Sequence, residues 1–180
     1  MEIYVQDSEV DLDSFSCGGL SLMDISLHKS GIAEASVIHE MQVRAFRPLL
    51  EKYQDFETSP ANESVERIVA RMNQPYSVYY VIKASDHVVG AIRIVGKENR
   101  TYRVSPIFIL PEFQGKGIAQ QVFAAIERQY SDARAWELDT ILQERGNCYL
   151  YEKLGYTRTG KTEVINDKMT IVFYEKKIAK

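Results

Sequence analysis

Residues 107–119, Ile-Phe-Ile-Leu-Pro-Glu-Phe-Gln-Gly-Lys-Gly-Ile-Ala, pass from an apolar strand through a glycine turn into a helix start with no linker between. Such a junction leaves the first backbone N–H groups of the helix without partners. Gly115 and Gly117 carry no side chains that would block approach to those groups, and the helix dipole favours an anion there. A phosphate is the expected ligand. The Walker A pattern fails because Lys116 is followed by Gly117 rather than Ser or Thr. The dinucleotide fingerprint fails because Gln120 stands where its third glycine belongs.

The surrounding chain gives a second reason to reject a dinucleotide fold. Segments 77–84 and 87–95 are rich in Val, Ile and Tyr and are joined by a short polar turn, which predicts an antiparallel hairpin. Segment 102–110 adds a strand, so the glycine turn follows an antiparallel run rather than opening a parallel unit. Upstream, Leu20–Leu27 predicts a first strand closed by Ser30-Gly31. Ile38, Met41, Ala45 and Leu49 recur at helical spacing within 32–53. Ser59-Pro60 reads as the cap and first turn of a second helix, whose stripe is Val65, Ile68, Val69 and Met72. Downstream come a helix over 117–130, a strand over 135–142, a short helix over 147–154 and a hairpin of 156–163 with 168–176. The order is βααβββαβαββ, an α+β chain with a mostly antiparallel mixed sheet flanked by helices.

At 180 residues the chain has the length of one compact domain. Residues 1–19, with Asp7, Glu9, Asp11 and Asp13 followed by Gly18-Gly19, read as an N-terminal extension to a domain over 20–180; Ile3 and Val5 leave room for a short extra strand. No apolar run is long enough for a membrane span and no leader pattern is present, so a cytoplasmic protein is expected. A net charge of −3 argues against a general nucleic-acid binder. Cys17 and Cys148 are too few for a disulfide framework and lack metal-ligand spacing. His39-Glu40 begins a zinc-protease pattern, but Val43 stands where the second His is required. No metal is expected.

Two blocks carry a family resemblance. Gln114, Gly117 and Ala119 fall on the positions of Gln-x-x-Gly-x-Gly/Ala, and Leu150-Tyr151-Glu152-Lys153-Leu154-Gly155-Tyr156 matches Leu-Tyr-Glu-Lys-Leu-Gly-Phe except at the last residue. In this pairing and order the chain resembles the GNAT N-acetyltransferase superfamily. The resemblance implies a GNAT-like fold in which the strands before and after the glycine-turn helix splay apart to admit a pantetheine arm. It implies acetyl-CoA as acyl donor and an amine as acceptor, with no nucleic-acid or membrane partner. A noncatalytic acyl-CoA sensor and a binder of NAD or ATP stand as alternatives, and a homodimer is compatible with the chain.

By the same resemblance, backbone amides of Gln114, Gly115, Lys116, Gly117, Ile118 and Ala119 hold the pyrophosphate. The main chain at Ile109 and Leu110 pairs with pantetheine like an added strand, and an N–H there polarises the thioester carbonyl. Tyr151 is the candidate catalytic acid toward the departing thiolate, against the plainer reading of a core aromatic; Tyr149 is a weaker candidate. Asn147 reads as a helix cap or as a pantetheine contact, at a spacing from Tyr151 shorter than the commonest one in the superfamily. Glu112, Glu137 and Asp139 are candidate bases, none of them assigned. The acidic stretch from Glu51 to Glu66 reads as a solvated face or as an attraction for a cationic amine.

Overall fold

The computed structural model describes residues 3–4 and 24–179. Along them run β1 (Ile3–Tyr4), β2 (Ile25–Lys29), α1 (Ala35–Tyr53), α2 (Val65–Met72), β3 (Ser77–Ala84), β4 (His87–Gly96), β5 (Thr101–Ile109), α3 (Ile118–Gln129), β6 (Ala135–Ile141), α4 (Arg145–Lys153), β7 (Thr157–Asn166) and β8 (Met169–Lys177). From β2 onward this is the order read from the sequence. The first expected strand continues to Lys29 because His28 and Lys29 pair with Val81 and Tyr80; residues 20–23 of it lie outside the described residues.

Three helix starts differ from expectation, the first because Ile32–Glu34 is a 3-10 turn and α1 begins only at Ala35. Pro60–Asn62 forms a separate 3-10 turn, in which Ser59 Oγ accepts from the Ala61 N–H at 3.3 Å, and α2 begins only after Ser64. The Ser-Pro pair therefore closes a turn instead of capping the helix. Helix α4 begins at Arg145 rather than Asn147, with Glu144 as its flanking residue.

The sheet order is β2-β3-β4-β5-β6-β8-β7, with β1 pairing with β5 off this path. β5 is parallel to β6 and to β1, and every other pairing is antiparallel. Alternation along β5 divides the core in two. Ile107 and Ile109 join Val122, Phe123, Leu138 and Leu150 beneath α3 and α4. Phe108 and Leu110 join Ile38, Phe46, Ile68 and Ile141 beneath α1 and α2. Both faces of the sheet are covered, which explains why β5 reads as a near-continuous apolar run. Among the described residues no helix is long and apolar enough to cross a membrane.

Gly90 sets the close approach of β4 to the end of β5. A Cβ built there would lie 2.1 Å from the Phe108 carbonyl oxygen, a backbone atom that cannot turn aside. Gly90→Ala should therefore lower stability by about 1–3 kcal/mol, the usual range for overpacking a filled site. Urea unfolding with an unchanged m-value measures it, and an unaltered midpoint would show that the two strands part easily.

Candidate active site

β5 and β6 start as neighbours and then separate. Thr101, Tyr102 and Arg103 pair with Ala135, Trp136 and Glu137, and the pairing ends there. β5 continues against β4 as far as Ile109, while β6 continues against β8 as far as Ile141, so the sheet opens into a slot toward the C-terminal ends of both strands. At the split, Arg103 Nη2 donates to the buried carboxylate of Asp139. The Leu110 N–H turns toward β4 and bonds the Val89 carbonyl at 2.8 Å. Strand alternation therefore aims the N–H of Ile109 the other way, into the slot. The carbonyl of Ile109 points the same way and accepts from Gln114 Nε2 at 2.8 Å, so the Gln114 side chain fastens the glycine turn to the slot edge. Of the two expected backbone contacts, Ile109 faces the slot and Leu110 does not.

The turn itself has the geometry its glycines predict. Gly115 and Gly117 adopt φ of 70° and 69°, the left-handed region in which glycine carries no penalty. Gly117 is the N-cap of α3, no side chain among the described residues caps the helix, and a Cβ built on Gly117 would meet nothing within 4 Å. The first N–H groups of α3 thus open onto space at the positive end of a twelve-residue helix. Ile118 and Ala119 bury their side chains and can contribute only backbone there. The Lys116 ammonium folds back onto the Glu112 carbonyl at 3.0 Å and lies 5.3 Å from the centre of the Phe113 ring.

On the β6 side, Tyr151 is fully buried, with the rings of Phe123, Tyr156 and Tyr174 5.8–6.3 Å away, in the same core as Ile107, Ile109 and Leu138. Asn147 sits inside α4 and is buried; its Nδ2 donates to Thr140 Oγ1 at 3.4 Å, which corrects its reading as the helix cap. Cys148 is buried against the Ile141 and Leu142 carbonyls, whereas Tyr149 is 62% exposed and faces away from the core. His39 bonds the Glu63 carbonyl, and His28 and His87 are exposed.

Helix α1 arches over the mouth of the slot. Arg44 reaches Glu112 on the β5 side at 2.9 Å, and Lys52 and Tyr53 reach Glu144 on the β6 side at 2.6 and 2.5 Å. The two contacts are about 13 Å apart along the helix. Glu144 escaped the sequence reading because Glu is a poor cap and its partners lie more than 90 positions upstream. The three candidate bases all stand in ion pairs: Glu112 with Arg44, Glu137 with Lys97 and Asp139 with Arg103. The acidic stretch is likewise partly engaged. Buried Asp55 accepts from the Thr58 N–H and hydroxyl, and Glu63 pairs with Arg67 and Arg71, which leaves Glu51, Glu57 and Glu66 exposed. Glu51 rims an open groove with Arg47 and the exposed Phe56. Among the described residues no cluster of His, Cys, Asp and Glu is arranged to hold a metal.

Burial, reinforced by Glu144, pushes the Tyr53 phenol up to about 12. Its folded value lies above the unfolded value near 10, so the contact stabilises fully below pH 10 and is lost as pH rises through about 12. Tyr53→Phe should cost about 1.5–3 kcal/mol at pH 7, the range for a hydrogen bond to a charged group. Denaturant unfolding from pH 7 to 11 should show the gap to the parent narrowing above pH 10. A gap constant with pH would mean that folding does not raise the Tyr53 phenol.

The acetyltransferase (GNAT) domain model matches residues 39–178. No curated protein matches the chain. Among solved structures, a Salmonella typhimurium acetyltransferase that modifies the N-terminal serine of a 50S ribosomal subunit protein aligns at 17% identity and TM-score 0.68, over 86% of this chain and 95% of its own. The microcin C7 self-immunity acetyltransferase, solved with acetyl-CoA and AMP, aligns at 17% identity and TM-score 0.67, over 92% of this chain and 99% of its own. A Vibrio cholerae spermidine N-acetyltransferase, solved with CoA and spermine, aligns at 16% identity and TM-score 0.66, over 84% and 94%. At these identities the neighbours share the fold, while the domain match spans most of the chain. The chain belongs to the GNAT acetyltransferase domain family and is an acetyl-CoA-dependent N-acetyltransferase.

Proposed function

We propose that the acetyl group passes directly from acetyl-CoA, lying in the slot between β5 and β6, to a primary amine that enters beneath α1. The observation that carries this reading is the end of β5–β6 pairing after Arg103, with an uncapped glycine turn at the mouth of the resulting slot. The residues present suit the coenzyme. The open space at Gly117 admits a pyrophosphate to the α3 amides, and the slot-facing edge at Ile109 offers a peptide-like arm a strand partner.

In this arrangement the neutral amine adds to the thioester carbonyl carbon while the Ile109 N–H stabilises charge building on the oxygen. As the C–S bond breaks, the Tyr151 hydroxyl gives its proton to the sulfur; the proton shed by the acylated nitrogen passes to water, and Tyr151 takes one back from water to close the cycle. With Glu112, Glu137 and Asp139 held in ion pairs, none is assigned as base. The neighbours named for a protein N-terminus and for spermidine support an amine acceptor. Release of free thiol from acetyl-CoA across a panel of amines tests the reading. Coenzyme binding with no thiol release from any amine would leave only a binding module.

Gly117→Asp places a carboxylate where the pyrophosphate is to sit. Asp tolerates the left-handed conformation better than most residues, and its Cβ meets no neighbour, so the fold should persist. Acetyl-CoA affinity should fall on the order of 10-fold or more, read by calorimetry. Unchanged affinity would remove the phosphates from this turn.

Tyr151→Phe keeps the ring within its aromatic cluster and removes the proton donor. Turnover should fall on the order of 10²-fold with a much smaller change in coenzyme affinity. Full turnover, measured where chemistry limits the rate, would take Tyr151 out of the mechanism.

A further inference from the structure

The slot-facing edge of β5 already carries a strand. Ile3 and Tyr4 pair in parallel with Ile107 and Phe108. The opposite edge of β5 is held by β4 at these same two residues, through Ile92 and Ala91, so β1 lies on the side that β6 has left, close to β6 itself. We propose that the N-terminal strand and the acyl-coenzyme compete for this one edge, so that acetyl-CoA binds only after Ile3–Tyr4 has left the slot. The inference rests on the acetyl-CoA reading above.

Competition follows from the bonding capacity of a strand edge. An N–H that is donated to a neighbouring strand is not available to a second partner, and two chains cannot lie 4.8 Å from β5 on the same side. Pantetheine, with its two amides, resembles a short peptide and asks for the same kind of pairing that β1 makes. A ligand that adds phosphate contacts to strand pairing can displace β1. If it is docked nine times in ten, it lowers the apparent coenzyme affinity by about 10-fold.

The test uses the full chain with Ile3→Pro and Tyr4→Pro together. Proline donates no N–H and is disfavoured in a paired strand. Calorimetric titration with acetyl-CoA should give a Kd on the order of 10-fold lower in this variant than in the parent. In the parent, hydrogen exchange by mass spectrometry should show acetyl-CoA speeding exchange in the segment that contains Ile3 and Tyr4. Equal Kd values, or added protection of that segment by acetyl-CoA, would overturn the competition and leave the acetyl-CoA reading standing. Absence of acetyl-CoA binding in parent and variant alike would overturn both.

Discussion

The end of hydrogen bonding between β5 and β6 after Arg103 is the constraint around which the rest of the fold is arranged. Two strands buried on both faces cannot separate without exposing main-chain donors and acceptors inside the protein, where an unmet group is costly. Several of the groups exposed near the split have partners of an unusual kind. The Ile109 carbonyl takes a side-chain amide from Gln114, and Ile107 and Phe108 take a strand from the far N-terminus. Arg103 and Asp139 place an ion pair at the split itself. Neither β4 nor β8 compensates, because each is already fully occupied by its own half of the sheet.

Helix α1 ties the two sides of the opening together, but with unequal strength. Arg44 and Glu112 are each about half exposed, and an ion pair of that kind contributes little. Tyr53 and Glu144 are buried, and Asn166 Nδ2 adds a 3.0 Å bond to the Tyr53 carbonyl, so α1, the start of α4 and the β7–β8 turn form one fixed body.

Elements with strong periodicity were legible. The expected strand over 77–84 coincides with β3, and the apolar stripe Ile38, Met41, Ala45 and Leu49 is the buried face of α1. The glycine turn was legible too, because Gly115 and Gly117 are required by local backbone conformation and not by distant contacts. What escaped depends on partners remote in sequence. Nothing near Glu144 announces that it starts α4, since it is held there by Lys52 and Tyr53. Asp139 reads as a solvated carboxylate until Arg103, 36 positions earlier, is brought beside it. Ser59-Pro60 misled for the opposite reason: its chemistry is local, but a Ser closing a 3-10 turn and a Ser capping a helix look alike in sequence.

β1 was legible only as room for a strand, from Ile3 and Val5. Its place in the slot follows from a general property of strand edges, which pair with any extended chain of amide-like groups and distinguish poorly among them. A slot suited to a pantetheine arm is for that reason also suited to a peptide, including one from the same protein. Discrimination has to come from the mouth of the slot. Open amides at the start of α3 suit phosphates, which a peptide strand lacks, whereas strand pairing adds only about 0.5–1.5 kcal/mol per net hydrogen bond. In the proposed competition, phosphate contacts at the turn decide which occupant wins, and β1 covers an edge that would otherwise stand open.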